Sequence, residues 1–343
     1  MSRSDPVAPL AVTMGEPGGI GGEILLKAWT ALRDADVPFF AIADAGYLRE
    51  LSEKLGFGIP ITEIDAPAKA AKAFKSGLPV IHQRLVEPPH PGVPMPANGR
   101  CVIESIERAV TYALEGAAGG VVTNPIHKAS LLASGFPYPG HTEFLAALCS
   151  SGGKEIEPVM MLACPELRVV PMTIHCALKD VFELLTSERI VDQGRIVAAA
   201  LKRDFGIAHP RLAVAGLNPH AGEDGAFGRE EIDIIKPAIR TLREAGVDVT
   251  GPHSADSLFH AAARSRYDAA LCMYHDQALI PLKTIDFDSG VNITLGLPIV
   301  RTSPDHGTAF DIAGSGKANP ASLIAAIEMA SAMARNRLAA VAA

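Results

Sequence analysis

Aromatic residues are scarce in this sequence: 5% of positions, with a single tryptophan. A chain so poor in large rings must build its core from Ala, Val, Leu and Ile. Cysteine is also sparse. Cys101, Cys149, Cys164, Cys176 and Cys272 are odd in number, scattered and never spaced as CxxC. That excludes a disulfide framework and a zinc-ribbon pattern, and fits free thiols in a reducing cytoplasm. No stretch of 18 apolar residues runs free of charge, so no membrane-spanning helix is expected. No Lys/Arg cluster occurs, and the net charge is -7, with a pI near 5.9. An acidic chain of this kind excludes nucleic acid as a main partner. The opening segment MSRSDPVAPLAVTMGEPGG is not expected to act as a secretory leader, because Asp5 and Pro6 interrupt it and its apolar run is too short. Internal repeats and low-complexity linkers are missing too.

What remains is 343 residues at 48% hydrophobic, enough for one large or two ordinary domains. Short apolar runs alternate with helical spacing: PLAVTMG, then GEILLKAWTALRDAD; VPFFAIAD, then AGYLRELSEKLGF; RLAVAGLNP after 187–204; YDAALCMYH after ADSLFHAAARS. Residues 98–116 and 229–245 read as helices, 158–175 as two strands joined at PELR, and the Ala-rich C-terminus as a packed helix. The alternation predicts a mostly parallel sheet with helices on both faces. The Pro-rich stretch EPPHPGVPMP (87–96) reads as a surface loop or arm.

Polar residues collect where apolar runs end, which is where parallel α/β sheets build ligand sites. His175 closes VVPMTIH, His220 follows LAVAGLNP and His275 follows AALCMY. Three imidazoles with an open fourth position would hold a divalent metal that activates an alcohol or water. Cys176, next to His175, is a possible fourth ligand, but strand alternation would point it the other way. Asp276 follows His275 directly and can orient it. His141 and Thr142 open a helix in GHTEF, with Thr142 able to cap it, and a helix N-terminus with a histidine suits phosphate. Lys283, Asn292 and Arg301 recur every nine residues around VNITLGLPIV and can grip a phosphate and a carboxylate. The loop Gly15–Glu23 is glycine-rich without being GxGxxG. It serves either as a tight turn or as a close-approach site at a helix start. The small residues of 305–320, with His306, Gly307, Thr308 and Asp311, suit a loop lying against a flat ring such as adenine.

The stretches MGEPGGIGGE, GHTEF, NPHAGEDG, MYHDQ, GVNITLGLP and RTSPDHGTAFDIAGSGKANP, in this order from about residue 14 to residue 320, resemble the 4-hydroxythreonine-4-phosphate dehydrogenase family of pyridoxal phosphate biosynthesis. The last also looks like a segment of isocitrate and isopropylmalate dehydrogenases. The resemblance implies a two-lobed α/β/α fold of that dehydrogenase type with the active site in the inter-lobe cleft. One lobe would be 1–130 plus 297–343, carrying the cofactor loop. The other would be 131–296, carrying the metal histidines. It implies NAD or NADP and a divalent ion (Zn, Mg or Co), and oxidation of a small phosphorylated hydroxy-amino acid followed by decarboxylation. The metal ligands would be His175, His220 and His275, and the substrate contacts His141, Thr142, Lys283, Asn292 and Arg301. Lys283 is either the base or a phosphate ligand, with Asp276 beside the metal site. The cofactor would lie on His306, Gly307, Thr308 and Asp311. The family is homodimeric with its site at the subunit interface, so the three histidines need not come from one chain. The first loop departs from the family's usual GDPAGIGPE, with Glu16 for Asp and Gly22 for Pro. Two alternatives stay open. One is a paralogue acting on D-threonate or D-erythronate 4-phosphate or on a dihydrodiol acid. The other, more remote, is a zinc hydrolase with Glu223 as base.

Overall fold

The computed structural model describes residues 7–138, 140–150 and 156–342. Among the described residues twelve strands are formed: β1 Leu10–Thr13, β2 Phe39–Ala43, β3 Ile61–Glu63, β4 Leu78–His82, β5 Val121–Val122, β6 Val159–Cys164, β7 Leu167–Pro171, β8 Arg211–Ala215, β9 Asp248–His253, β10 Ala269–Cys272, β11 Val291–Leu295 and β12 Arg301–Pro304. The chain is α/β and divides into two compact units, Met1–Pro158 with Leu297–Ala343, and Val159–Gly296.

In the first unit the strand order is β3-β4-β2-β1-β5-β12, with every pairing parallel. Its central strands are continuous apolar runs because helices cover both faces. Leu10, Phe39, Phe40, Ile42 and Leu78 are fully buried there. The helix Gly99–Leu114 buries Val102, Ile103, Ile106, Ala109 and Val110, the spacing of one helical face. Each such aliphatic side chain contributes about 1.5–3 kcal/mol when removed from water. The helix Ala45–Lys54 starts where the Asp44 carboxylate accepts the Tyr47 N–H at 3.0 Å, satisfying one orphan donor of the first turn.

In the second unit the order is β11-β6-β7-β10-β8-β9. Strands β11, β6 and β7 run antiparallel to their neighbours in succession, while β7-β10, β10-β8 and β8-β9 are parallel. The core is small and aliphatic: Leu162, Val169, Ala213, Ala215, Ala270, Cys272, Ala278 and Leu282. The Thr186 hydroxyl caps the helix Ser187–Arg203 by accepting the Arg189 N–H.

Several expectations change. The segment 131–158 groups with the first unit rather than with the histidine-bearing one, because the helix His141–Cys149 packs against Gly99–Leu114. The Pro-rich stretch is no free arm. Gly92 N–H donates to Gly18 O and Met95 N–H to Glu16 Oε1, at 2.8 and 3.1 Å. Residues 229–245 start with a wide turn at Glu231–Ile235 before the regular helix Lys236–Glu244. ADSLFHAAARS breaks into two short helices. Among the described residues no helix is long and apolar enough to cross a membrane.

Candidate functional site

The second unit carries the three histidines just past strands, two on turns and one at a helix start. Strand β7 stops at Pro171. Thr173 then donates its hydroxyl to Met273 O at 2.8 Å, which ties the ends of β7 and β10 together. His175 sits beyond this tie at φ 44°. His275 is the first residue of the helix His275–Ile285, not a strand end. Its ring centroid lies 5.9 Å from that of His175. Both line one cavity of about 340 Å³ with Thr173, Cys176, Tyr274 and Asp276. Cys176 therefore faces the same space as His175. The expected alternation fails because the backbone is bent there, not extended. His275 Nδ1 is 2.7 Å from Asp276 Oδ1, an arrangement that fixes the imidazole tautomer and leaves Nε2 as the open nitrogen.

His220 stands in a turn, 219–225, in which His220, Ala221, Glu223 and Asp224 all have positive φ. Such backbone costs roughly 1–2 kcal/mol per non-glycine residue, a strain typical of functional loops. Gly222 is required within it. A Cβ there would lie 2.5 Å from Glu231 Oε2. The Asp256 carboxyl is held below its usual range chiefly by the Ser254 hydroxyl. Asp256 lines a second cavity of about 470 Å³, which shares Tyr274 and Asp276 with the first. Among the described residues, no three His, Cys, Asp or Glu side chains of one chain converge on a metal-sized point. One chain thus pairs His175 with His275 and holds His220 apart.

The first unit carries a cluster of cations. Arg301, the first residue of β12, is 3% exposed. It donates from a terminal guanidinium nitrogen to Thr123 Oγ1 at 2.7 Å. Burial pulls its pKa down to about 10, so it stays charged at neutral pH. The His141 ring is held well below its usual 6.5, first by burial and then by Arg301 and Lys128. Its Nε2 is sealed from solvent with no hydrogen-bond partner among the described residues. Lys128 reaches over Gly140. Its Nζ would lie 3.7 Å from a Cβ placed at that residue. Thr142 does not cap its helix. Gly140 occupies the N-cap position without a side chain. Sequence reading missed Lys128 and Thr123, although both stand in the strand-end stretch VVTNPIHK that should have drawn attention.

The nine-residue rhythm of Lys283, Asn292 and Arg301 corresponds to no single element. Lys283 lies in the last turn of the helix His275–Ile285, with Nζ 5.5 Å from the Phe287 ring centroid. Asn292 lies within β11, paired with Leu162, and its Oδ1 is buried without a hydrogen-bond partner among the described residues. Arg301 belongs to the first unit.

The 305–320 loop is clamped from beneath. Glu23 is 1% exposed and accepts the Ala318 N–H at 2.8 Å, while Lys27 donates to Gly316 O and Ala318 O. Thr308 O accepts the Ile20 N–H at 3.0 Å. His306 Nδ1 is 3.0 Å from Gly307 O, and Asp311 is exposed. Open space surrounds the place a Gly307 Cβ would take. The Gly15–Glu23 glycines serve a different end. A Cβ on Gly18 would fall 1.9 Å from Val93 O, and one on Gly19 2.9 Å from Thr308 O. These glycines let three protein segments meet. They do not leave a cradle.

With this geometry in place, the comparisons are specific. The family described as Pyridoxal phosphate biosynthetic protein PdxA matches residues 35–330. A relative from Bradyrhizobium diazoefficiens, a 4-hydroxythreonine-4-phosphate dehydrogenase, is 54% identical over 335 residues, spanning 95% of this chain and 97% of its own. The crystal structure of the Klebsiella pneumoniae 4-hydroxythreonine-4-phosphate dehydrogenase superposes with a TM-score of 0.85 at 40% identity, covering 95% of this chain and 99% of its own. A terephthalate 1,2-cis-dihydrodiol dehydrogenase from Burkholderia xenovorans is more distant, with a TM-score of 0.64 at 29% identity, covering 95% and 98%. The chain belongs to the PdxA family of pyridoxal phosphate biosynthetic proteins, that of the 4-hydroxythreonine-4-phosphate dehydrogenases.

Proposed function

We propose that this protein oxidises 4-phosphohydroxy-L-threonine with NAD or NADP, giving 2-amino-3-oxo-4-phosphooxybutanoate, a β-keto acid that loses carbon dioxide to give 3-amino-2-oxopropyl phosphate. The observation that carries the reading is the His175–His275 pair over one cavity, with Asp276 on the Nδ1 of His275, in a chain 54% identical along nearly its whole length to a dehydrogenase of that name. His175, His220 and His275 are the ligands for a divalent ion such as Zn, Mg or Co. Two imidazoles and an orienting carboxylate fit that role within one chain. When bound, the ion makes a substrate hydroxyl acidic near neutral pH, and the nicotinamide takes up the two electrons.

The remaining roles follow from the chain's own side chains. Asp276 holds the His275 Nδ1–H, so Nε2 presents its lone pair. Lys283 is seven residues further along the same helix as Asp276 and so lies on the same face. It receives the hydroxyl proton or binds the phosphate. Arg301 is a fixed, buried cation suited to one anionic end of the substrate. His141 and Thr142 add neutral donors beside it, and Asn292 offers an amide. His306, Gly307, Thr308 and Asp311 form the cofactor face. Supporting a homodimer with a shared site, large apolar side chains stand exposed at Leu178, which lines the His175 cavity, and at Phe287, beside Lys283.

The test is nicotinamide reduction followed at 340 nm with 4-phosphohydroxy-L-threonine, with and without a chelator. Chelator-sensitive turnover is expected. Turnover indifferent to the chelator would sink the metal role. The similarity to a dihydrodiol dehydrogenase makes one second reading worth the same assay, a paralogue of different substrate. Faster turnover of a dihydrodiol acid or of D-threonate or D-erythronate 4-phosphate would select it.

A further inference from the structure

We propose that Glu231 is a positioning residue for His220, and that Gln277 couples its loop to the one carrying His275. The inference rests on the reading of His220 as a metal ligand. Glu231 is 1% exposed. A carboxylate so deeply buried is tolerable only when donors surround it. Here Oε1 accepts the Leu217 and Asn218 N–H groups, both at 2.8 Å, and Oε2 accepts Asn218 Nδ2 at 2.9 Å. These donors lie immediately before the left-handed run that begins at His220. A run of positive-φ residues persists only where its surroundings over-determine it. Glu231 grips the entry of the turn, and its Oε2 packs against Gly222 inside it. Without the carboxylate, two backbone N–H groups lose their partner and the entry angle of His220 is released.

Gln277 extends the brace. It is buried, and its Nε2 donates to Gly216 O at 2.7 Å while its Oε1 accepts the Met273 N–H at 2.6 Å. Gly216 directly precedes the residues held by Glu231. Met273 lies two residues before His275. A chain of buried and part-buried hydrogen bonds, joined through the Gly216–Leu217 peptide, therefore runs from Met273 through Gln277 to the entry of the His220 turn and on to Glu231. Neither residue faces the cavity lined by His175 and His275, so Glu231 acts through the histidine it holds.

The experiment uses the full-length protein freed of metal and titrated with Co²⁺ alone, read by its visible absorption. Wild type, Glu231→Gln, Asn218→Ala and His220→Ala are compared. Hydrogen exchange is followed at residues 216–228, together with the NAD KM. Glu231→Gln should bind Co²⁺ about 10–100-fold more weakly, the usual loss when a ligand's support is removed. Leu217 and Asn218 should exchange faster, and the NAD KM should stay put. Asn218→Ala should do the same to a smaller degree, and covers the case in which Glu231→Gln does not fold. If Glu231→Gln keeps wild-type Co²⁺ affinity while His220→Ala loses it, the positioning role is overturned and the histidine reading stands. If wild type and His220→Ala bind Co²⁺ alike, the histidine reading falls and takes this inference with it. Loss of the folded state in both Glu231→Gln and Asn218→Ala also overturns the proposal, because the brace would then hold the whole unit.

Discussion

The first unit buries its candidate substrate cation and imidazole, and the second displays its candidate histidines. Arg301 is almost wholly buried, and the Nε2 of His141 is sealed beside it. The side chains of His275 and Asp276 are 38% and 69% exposed, and His220 sits on an exposed, strained turn. The two designs suit different ligands. A buried cation whose desolvation has already been met in folding is preorganised for an anion, with no water to displace at the moment of binding. Imidazoles on open turns can accept an ion whose coordination shell is completed from elsewhere, including a second chain. The first unit's site should therefore fail by losing affinity for one substrate group, and the second unit's by losing the reaction.

The largest break in that contrast is His220→Ala. Even partners that merely orient a metal ligand are worth about 10–100-fold in affinity or activity. On the proposed ligation by His220, its removal should lower kcat by more than about 100-fold on that scale. The 305–320 loop is clamped by Glu23 and Lys27 within the first unit, so NAD binding should survive. Steady-state kinetics and calorimetric NAD titration check both halves. Near-normal kcat in a chelator would remove the three-histidine mechanism.

Arg301→Lys probes the other side more gently. Lysine keeps the charge but loses the planar fork and its bond to Thr123. Charge-assisted hydrogen bonds of this type are worth about 1.5–3 kcal/mol, so the substrate KM should rise about 10–150-fold with kcat changed much less. An equal rise in the NAD KM would assign Arg301 to the cofactor instead and erase the proposed division between the units.

The sequence made some of this plain and hid the rest for identifiable reasons. Strands β1, β2, β8 and β10 were legible because strands covered on both faces are unbroken apolar runs. The three histidines draw attention in the sequence because such runs end a few residues before them. The brace was not legible. Glu231 and Gln277 look like ordinary polar residues near helix starts, and apart from Met273 their partners in the brace lie 13, 14 and 61 residues away. The Gly15–Glu23 loop misled in the same way. Its glycines announce close approach, but what approaches is Val93 and Thr308, which no local pattern reveals. The packing of the helix His141–Cys149 against Gly99–Leu114 is not legible either, because helix spacing shows that a face is buried and not what buries it. The bend at 174–176 defeated strand alternation, since a positive φ at a histidine has no signature in the residue types around it.

The smallest effect is a pH slope, and its sign follows from His141. In the unfolded chain this ring titrates near 6.5. In the folded protein it titrates well below that, first because it is buried and then because Arg301 and Lys128 repel a further positive charge. Glu143 on the same helix is the acidic neighbour nearest the turn at Gly140. Below 6.5 and down to the folded value, the unfolded chain binds more protons, so stability must fall as pH falls. Above 6.5 both states are neutral and this ring contributes no slope. The limit for one proton is about 1.4 kcal/mol per pH unit. His253, whose pKa is also lowered by burial and by Arg266, adds a slope of the same sign and remains in any His141 variant. Urea denaturation of wild type and His141→Asn between pH 5 and 8 separates the two. The variant should lose part of the acid slope below 6.5 and match wild type above it. A phosphate ion bound beside the ring should reverse the electrostatic cause and favour the protonated imidazole, so phosphate should stabilise wild type more at pH 5.5 than at pH 7.5. An unchanged acid slope in His141→Asn would mean that this ring is not held below its usual range in the fold, and that neither its burial nor the charges of Arg301 and Lys128 act on it as described.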